Sequence, residues 1–197
     1  MTVHEAKRLA KKTLSARRYT HTSNVAAAAE SLAVRWGANE KKACLAAWLH
    51  DIAKESSRED LLQLLGQDAI MAKSTMERPL PIWHGPCAAI LAKTSLGVQD
   101  EEILSAIACH TTGRVGMTLL DKVVFLADVI SEERNFAGVE GIRRLAKRNL
   151  DAAVVAAMEE NVRYIIGKGK KLDTDTVEAL QALKGGLSSG CEARMLP

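Results

Sequence analysis

The segment AAWLHDIAK places a histidine and an aspartate side by side in an apolar, helix-forming stretch, as His50 and Asp51. Burying a carboxylate without a partner costs several kcal/mol, so any fold that packs this stretch must also supply a partner for Asp51. A metal ion would satisfy the imidazole and the carboxylate at once. The pair therefore restricts the chain to folds that bring further ligands to this point.

Other histidines and one further aspartate are candidates for those ligands. His21 follows RRYT, His84 lies in IWHGP, and His110 lies in ACHTTGR at the end of an apolar stretch. Asp128 interrupts VVFLADVI and is a second carboxylate in an apolar run. The order along the chain is H…HD…H…H…D. Each histidine taken alone would more often be a structural residue, so the prediction of a metal site depends on the ordered set.

Composition excludes several classes of protein. The 197 residues, 47% of them hydrophobic and 26% charged, predict one domain with a substantial core. A net charge of +3 gives no sign of a nucleic-acid partner. No stretch reaches the length of a membrane span or resembles a signal peptide, so we expect no membrane association and a cytoplasmic location. The cysteines, which form no CxxC pair, are expected to be reduced: Cys44, Cys87, Cys109 and Cys191.

Capping residues and hydrophobic periodicity predict helices throughout, and no convincing alternating strand pattern is present. The predicted helices cover 3–16, 22–36, 40–54 and 57–66, a short helix reaching Lys93, one opened by Asp100, one capped by Thr118 and Asp121, one or two over 141–166, and a last one capped near Asp175. We therefore expect a single all-α helical bundle over residues 1–184 and a flexible C-terminal tail over 185–197.

The ligand types predict a catalytic rather than a structural ion. Histidine nitrogen combined with carboxylate oxygen suits Fe, Mn, Co, Ni or Zn, and a structural zinc finger would need paired cysteines. A bound ion of this kind polarises a phosphoryl oxygen and lowers the pKa of a water molecule. His50 and Asp51 are about 100° apart on a helix, so both can reach one ion only near a cleft or a helix end. His21 and Asp128 must then come from other helices.

The ordered set of histidines and aspartates resembles the HD-domain superfamily of metal-dependent phosphohydrolases. More narrowly, RRYTHT, LAAWLHDIAK, IWHG, the block from His110 to Phe136 and KGKKLDTDT resemble the YqeK family of bacterial HD-domain proteins. The resemblance extends over most of the chain, although ISEERNF has Glu133 where the family usually has proline; Arg134 is retained. It implies one HD domain over residues 1–184 that hydrolyses diadenosine tetraphosphate symmetrically to two ADP.

The resemblance also implies a role for individual residues. One or two divalent ions, with iron as the metal of this family, would be held by His21, His50, Asp51 and Asp128. Phosphate oxygens would be bound by Arg18, Lys54, Thr111 and Arg134, and a loop with Lys170, Lys171 and Asp175 would close over the nucleotide. His84 and His110 would act in catalysis together with Asp51. Whether these two histidines contact the phosphate chain or a second ion is left open by the sequence.

The expected reaction is attack of a metal-activated water on a central phosphorus, with ADP as the leaving group. Two alternatives fit the same residues. One is an HD-type hydrolase of another nucleotide, such as a guanosine alarmone, a deoxynucleoside triphosphate or a cyclic dinucleotide. The other is a non-catalytic, nucleotide-binding helical module. The expected partners are a dinucleoside polyphosphate substrate and, from the family alone, a second copy of the chain in a homodimer.

Overall fold

The computed structural model describes residues 1–192, and for residues 188–192 it describes only the backbone. Within that range the chain forms α-helices, one short 3-10 helix at Leu80–Ile82, and no strand. The α-helices are α1 (Val3–Thr13), α2 (Ala16–Trp36), α3 (Glu40–Leu49), α4 (Arg58–Leu65), α5 (Ala69–Met76), α6 (His84–Thr94), α7 (Glu101–Cys109), α8 (Leu119–Ile130), α9 (Val139–Ala146), α10 (Leu150–Gly167) and α11 (Thr174–Glu192). The prediction of an all-α fold is confirmed.

Helix α8 lies in the centre of the core. It packs against α2, α3, α7, α9 and α10, and its side chains are buried on every face rather than along one stripe. The fully or almost fully buried ones are Val123, Val124, Phe125, Leu126 and Ala127. Each large aliphatic side chain buried in this way stabilises the fold by roughly 1.5–3 kcal/mol. The surrounding helices are thereby held in fixed positions relative to α8, which also carries Asp128.

Three helices begin where capping residues predict. The Ser57–Asp60 capping box opens α4, the Thr118–Asp121 capping box opens α8, and the side chain of Asp100 accepts two backbone N–H groups at the start of α7. Each cap gives a partner to N–H groups that the first helical turn leaves unpaired, and a cap stabilises the helix by about 1 kcal/mol. The three predicted starts are confirmed.

Helix α2 begins earlier than predicted. It starts at Ala16 rather than at residue 22, because the Ser15 hydroxyl accepts the backbone N–H of Arg18 and caps the helix there. His21 therefore lies in the second turn of a long helix, where its ring has a fixed direction. The helix ends as predicted at Gly37, which adopts the left-handed conformation with φ 73°.

Helix α3 ends earlier than predicted, at Leu49 rather than at Lys54. Beyond it the backbone tightens into turns, in which Ile52 N–H donates to the Leu49 carbonyl and Lys54 N–H donates to the Asp51 carbonyl. His50 and Asp51 consequently stand at the end of a helix. A helix end is where two consecutive residues can face the same point.

Two further regions of the chain differ from the prediction. The segment after Gly66 contains a helix that was not predicted, α5, which Asp68 caps. The last helix continues to Glu192, so residues 185–192 of the predicted tail are helical, and residues 193–197 lie outside the described residues. None of the helices over residues 1–192 combines the length and the apolar character needed to cross a membrane.

Candidate metal centre

Five helices, with the turns that follow two of them, bring six candidate ligands to one place. His21 comes from α2, His50 and Asp51 from the end of α3, His84 from the first residue of α6, His110 from the residue after α7, and Asp128 from α8. Five of the six are buried, with exposed fractions between 0% for His50 and 8% for His21, and the side chain of Asp128 is 17% exposed. The structure thus brings together all the residues that the sequence predicted as ligands, from segments far apart in the chain.

The four imidazole rings share one orientation. In His50, His84 and His110 the Nδ1 atom lies 2.6–2.8 Å from the carbonyl oxygen three residues earlier in the chain. In His21 the Nδ1 atom contacts the carboxylate of Glu133. Because these oxygens can only accept, Nδ1 carries the proton in each ring, and the lone pair of a neutral ring lies on Nε2. All four Nε2 atoms point toward Asp51.

Asp51 divides the cluster into two halves. Its Oδ2 atom lies 3.6 Å from Nε2 of His21 and 3.5 Å from Nε2 of His50. Its Oδ1 atom lies 3.2 Å from Nε2 of His84 and 3.7 Å from Nε2 of His110. The Nε2 atoms of His84 and His110 are 3.1 Å apart. One carboxylate therefore faces two pairs of imidazole nitrogens.

The donor atoms fit a divalent metal ion. The Nε2 atoms of His21 and His50 are buried and have no hydrogen-bond partner, although Nε2 of His21 is only 3.1 Å from Oδ1 of Asp128. An orphaned buried nitrogen costs free energy unless something outside the protein pairs with it. Ligand atoms within 4.8 Å of one another form overlapping groups, two of which share Asp51: one with His21 and His50, and one with His84 and His110. Histidine nitrogen and carboxylate oxygen are ligands for iron, manganese, cobalt, nickel or zinc.

Both aspartates in the cluster stay ionised. Burial alone would raise the pKa of Asp51, but His50 and the other neighbouring histidines outweigh it, and the pKa lies well below the usual value. Burial likewise opposes ionisation of Asp128, while His21 and Arg134 lower its pKa below the usual range. The centre therefore presents two negative charges to a cation at neutral pH.

The histidines do not titrate alike. Burial is the main cause that lowers the pKa of His50 to about 4 and that of His84 to about 4, so both rings are neutral at pH 7. Burial also opposes the protonation of His21, but the carboxylates of Asp128 and Glu133 outweigh it and raise its pKa. A neutral ring is the form that binds a metal.

Three cationic side chains reach the cluster from its rim. Arg18 donates to Oδ2 of Asp51 at 2.7 Å, and Arg134 donates to Oδ1 of Asp128 at 2.5 Å. Their side chains are 29% and 40% exposed, so they border both the carboxylates and solvent. Lys54 lies with its Nζ 3.1 Å from Nε2 of His84. All three were predicted from the sequence to bind phosphate.

Thr111 also borders the cluster, with its hydroxyl 3.0 Å from Nε2 of His110. The predicted loop residues do not join it in the described part of the chain. Lys170 and Lys171 are exposed between α10 and α11, and neither has an ion pair or side-chain hydrogen bond with the ligands. Asp175 instead forms an ion pair with Arg78, at 3.1 Å.

Two functional candidates were missed by the sequence analysis. Arg78 forms hydrogen bonds of 2.7–2.8 Å to Asp173 and one of 3.2 Å to Thr112, and so ties the start of α11 to the segment that follows α7. Glu133 contacts a ligand from outside the cluster. Neither residue lies in a local pattern that indicates such a contact, since each acts on a partner distant in sequence.

A separate cavity of about 930 Å³ lies between α2 and α9. Its lining is rich in cationic side chains, namely Arg35, Arg143, Arg144, Lys147 and Arg148, and none of the six candidate ligands borders it. It holds no grouping of histidine and carboxylate, so the chemistry belongs to the cluster around Asp51.

One family model and several known proteins match most of this chain. The family model for the HD domain matches residues 18–133, a span that contains all six ligands. The chain is 39% identical over 176 residues to the symmetrical bis(5'-nucleosyl)-tetraphosphatase of Bacillus subtilis (strain 168), covering 89% of this chain and 94% of that protein. It is 35% identical over 179 residues to the protein of the same name from Halalkalibacterium halodurans, covering 91% of this chain and 95% of that protein.

A solved structure shares the whole architecture. It is a Clostridium acetobutylicum protein described as a predicted HD superfamily hydrolase involved in NAD metabolism. The match has a TM-score of 0.88 and 31% sequence identity, and it covers 94% of this chain and 98% of that one. The helical arrangement that gathers the six ligands is thus shared with that protein over nearly its full length.

Proposed function

We propose, since the chain belongs to the HD-domain family and within it to the YqeK family of symmetrical bis(5'-nucleosyl)-tetraphosphatases, that it is a metal-dependent hydrolase of diadenosine tetraphosphate. It would cleave this substrate, and related dinucleoside polyphosphates, symmetrically to two ADP. The single observation that carries the proposal is the cluster itself: four inward-facing imidazole nitrogens and two ionised carboxylates, bordered by cations. Such a site combines a cation-binding interior with an anion-binding rim.

The first ion would be held by His21, His50, Asp51 and Asp128, and we propose iron as the metal. A bound divalent ion supplies Lewis acidity to a phosphoryl oxygen and lowers the pKa of a water molecule. The protein's part is to keep His50 neutral, which burial achieves, and to keep the two carboxylates ionised at neutral pH, which the neighbouring histidines and Arg134 achieve against the opposing effect of burial on the carboxyl pKa values.

His84 and His110 would hold a second ion together with Oδ1 of Asp51. A neutral ring whose Nδ1–H is donated to a backbone carbonyl has only a lone pair at Nε2. A lone pair attracts a cation and repels a phosphate oxygen. The orientation of the two rings therefore favours the metal-binding role over direct contact with the phosphate chain.

The rim would bind the phosphate chain. A guanidinium has five N–H donors in a planar fork, so Arg18 and Arg134 can each keep a carboxylate contact and still donate to phosphate oxygens. Lys54 and Thr111 lie beside His84 and His110 and would contact the same chain of phosphates. Symmetric cleavage requires that one complete ADP half is held, which fixes the scissile bond between the second and third phosphorus.

The loop between α10 and α11 would bind the part of the nucleotide that lies farther from the metal. Lys170, Lys171 and Asp175 are proposed for this role, with Asp175 held by Arg78. A cytoplasmic location and a homodimer stay predictions.

Product analysis by ion-exchange chromatography tests the proposed function. Protein prepared without oxygen and loaded with Fe(II) is incubated with diadenosine tetraphosphate, beside a sample treated with a chelator. We expect ADP as the sole product, and only in the metal-loaded sample. AMP plus ATP would contradict symmetric cleavage, and the absence of turnover would redirect the search to guanosine alarmones, deoxynucleoside triphosphates and cyclic dinucleotides, or to a binding role.

A further inference from the structure

Glu133 lies outside the ligand set but contacts one of its members. Its Oε1 atom accepts a hydrogen bond from Nδ1 of His21, the nitrogen that points away from the cluster. The same carboxylate is held on two further sides, since the Ser131 hydroxyl donates to Oε1 at 2.8 Å and the Asn24 amide donates to Oε2 at 2.7 Å. Asn24 lies one helical turn beyond His21 on α2. The carboxylate is therefore fixed in position rather than free to leave the ring.

His21 differs in this respect from the other three histidines. The Nδ1 atoms of His50, His84 and His110 all donate to main-chain carbonyls within their own segments, three residues back. Only His21, among the histidines of the cluster, donates to a carboxylate, and that carboxylate comes from a different element of the fold. A carbonyl can orient a ring, but a carboxylate also adds a negative charge that makes the opposite nitrogen a stronger donor to a metal.

The loop that carries Glu133 is itself fixed. The guanidinium of Arg143, on α9, donates to the carbonyls of Ile130 at 3.0 Å, Ser131 at 2.6 Å and Arg134 at 3.1 Å. The backbone on both sides of Glu133 is thus held by one side chain. Arg134, the next residue, donates to the carboxylate of Asp128. Consecutive residues of one loop therefore contact ligands that come from two different helices.

We propose that Glu133 is a positioning residue of the metal centre, which holds the Nδ1–H of His21 so that Nε2 faces the ion and binds it more tightly. The inference rests on the metal site of the proposed function. Removing the outer partner of a histidine ligand lowers metal affinity by roughly tenfold to a hundredfold. The expected effect on Glu133 variants is a loss of affinity in that range, although Glu133 touches no ion and no substrate.

Metal affinity, measured without reference to activity, tests the proposal. Co(II) is titrated into the metal-free protein in competition with a chromophoric chelator, for the wild type, Glu133→Gln and Glu133→Ala. Glutamine keeps an oxygen that can accept from Nδ1–H but lacks the charge, whereas alanine removes both. We expect the dissociation constant to rise in the order wild type, Glu133→Gln, Glu133→Ala, and the visible absorption spectrum of bound Co(II) to change in the alanine variant.

Glu132→Gln is the matched control, because it removes the same charge from the adjacent, exposed residue, whose side chain has no hydrogen bond or ion pair within the described residues. Its dissociation constant should equal that of the wild type. Thermal unfolding of the metal-free proteins separates positioning from folding, since Glu133→Gln should melt with the wild type. An unchanged dissociation constant in both Glu133 variants would overturn the positioning role of Glu133 but not the proposed metal centre. A wild-type protein that binds no Co(II) would overturn the proposed metal centre as well.

Discussion

The two halves of the cluster on either side of Asp51 are built differently. On one side, which we call the His21 half, His21 and Asp128 are contacted by the charged side chains of Glu133 and Arg134 from a loop. On the other side, which we call the His84 half, His84 and His110 are oriented by carbonyls of their own segments. The His21 half is rich in carboxylates, whereas the His84 half shares only the carboxylate of Asp51.

The difference predicts unequal affinities for cations. Three carboxylates, those of Asp51, Asp128 and Glu133, lie at or next to His21. Burial opposes protonation of His21, but Asp128 and Glu133 outweigh it and raise the pKa of the ring, so this half attracts positive charge. In the His84 half burial dominates and lowers the pKa of His84 to about 4, with the ammonium of Lys54 close by. We expect the His21 half to hold its ion tightly and the His84 half to hold a second ion more weakly.

The largest effect should come from removing the residue that the two halves share. In Asp51→Ala both halves lose a ligand, so bound metal should be lost and turnover of diadenosine tetraphosphate should fall by more than the roughly hundredfold to thousandfold expected for one electrostatic contact. Metal analysis measures the bound metal, and steady-state kinetics measure the turnover. Circular dichroism shows whether the variant remains helical. Full activity with unchanged metal content would be incompatible with the assignment.

A substitution in the His84 half should remove one ion and leave the other in place. His84→Ala and His110→Ala should each lower the metal content by one ion per chain while the ion of the His21 half is retained. Turnover should fall by about a hundredfold, because one charge at the phosphate chain is lost. Metal analysis after gel filtration gives the content. If the wild type already binds a single ion and these variants keep it, the two histidines contact the substrate rather than a second ion.

Loss of a rim cation should affect the substrate and spare the metal. Arg134→Ala removes a charge-assisted hydrogen-bond donor, which contributes about 1.5–3 kcal/mol, so kcat/KM should fall by roughly tenfold to a hundredfold. Arg134→Lys keeps the charge and should recover part of the loss. Metal content should match that of the wild type in both. Unchanged catalytic efficiency in the alanine variant would remove Arg134 from the substrate site.

The smallest effect is a pH dependence of the metal-free protein. The pKa of His84 is about 4 in the folded state and about 6.5 when unfolded, so between these values the unfolded state binds more protons and stability falls as the pH falls, by up to about 1.4 kcal/mol per pH unit for one such group. His21, with a raised pKa, contributes in the opposite direction. Urea unfolding at pH 7 and pH 5 should therefore show a weaker pH dependence in His84→Gln and a stronger one in His21→Gln. Equal slopes in both variants would contradict the difference between the halves.

The sequence alone identifies the buried candidate ligands. Histidines and aspartates in apolar stretches, such as Asp51 and Asp128, are visible as candidates because burial without a partner is costly, and the structure brings them together. Residues that act from outside the apolar core leave no such trace. Glu133 follows the exposed, charged residue Glu132, and only the packing of its loop against α2 brings it to His21 and Asn24.

Helix boundaries failed where tertiary contacts decide them. The composition of residues 50–54 suits a helix, yet α3 ends at Leu49 and the backbone turns. That early end is what lets His50 and Asp51 face one point, so the local prediction was wrong at the position where the site requires an exception. At the C-terminus the reverse holds, because the segment predicted as a flexible tail from residue 185 continues as helix α11 to Glu192.

The order of the ligands along the chain has a consequence for how the protein is made. Synthesis proceeds from the N-terminus, so His21 leaves the ribosome first and Asp128 last, with the other ligands between them. Until α8 has emerged, the earlier helices lack both a ligand and the helix against which α2, α3 and α7 pack. A nascent chain therefore cannot complete the centre, and loading with a metal ion has to follow translation of most of the domain.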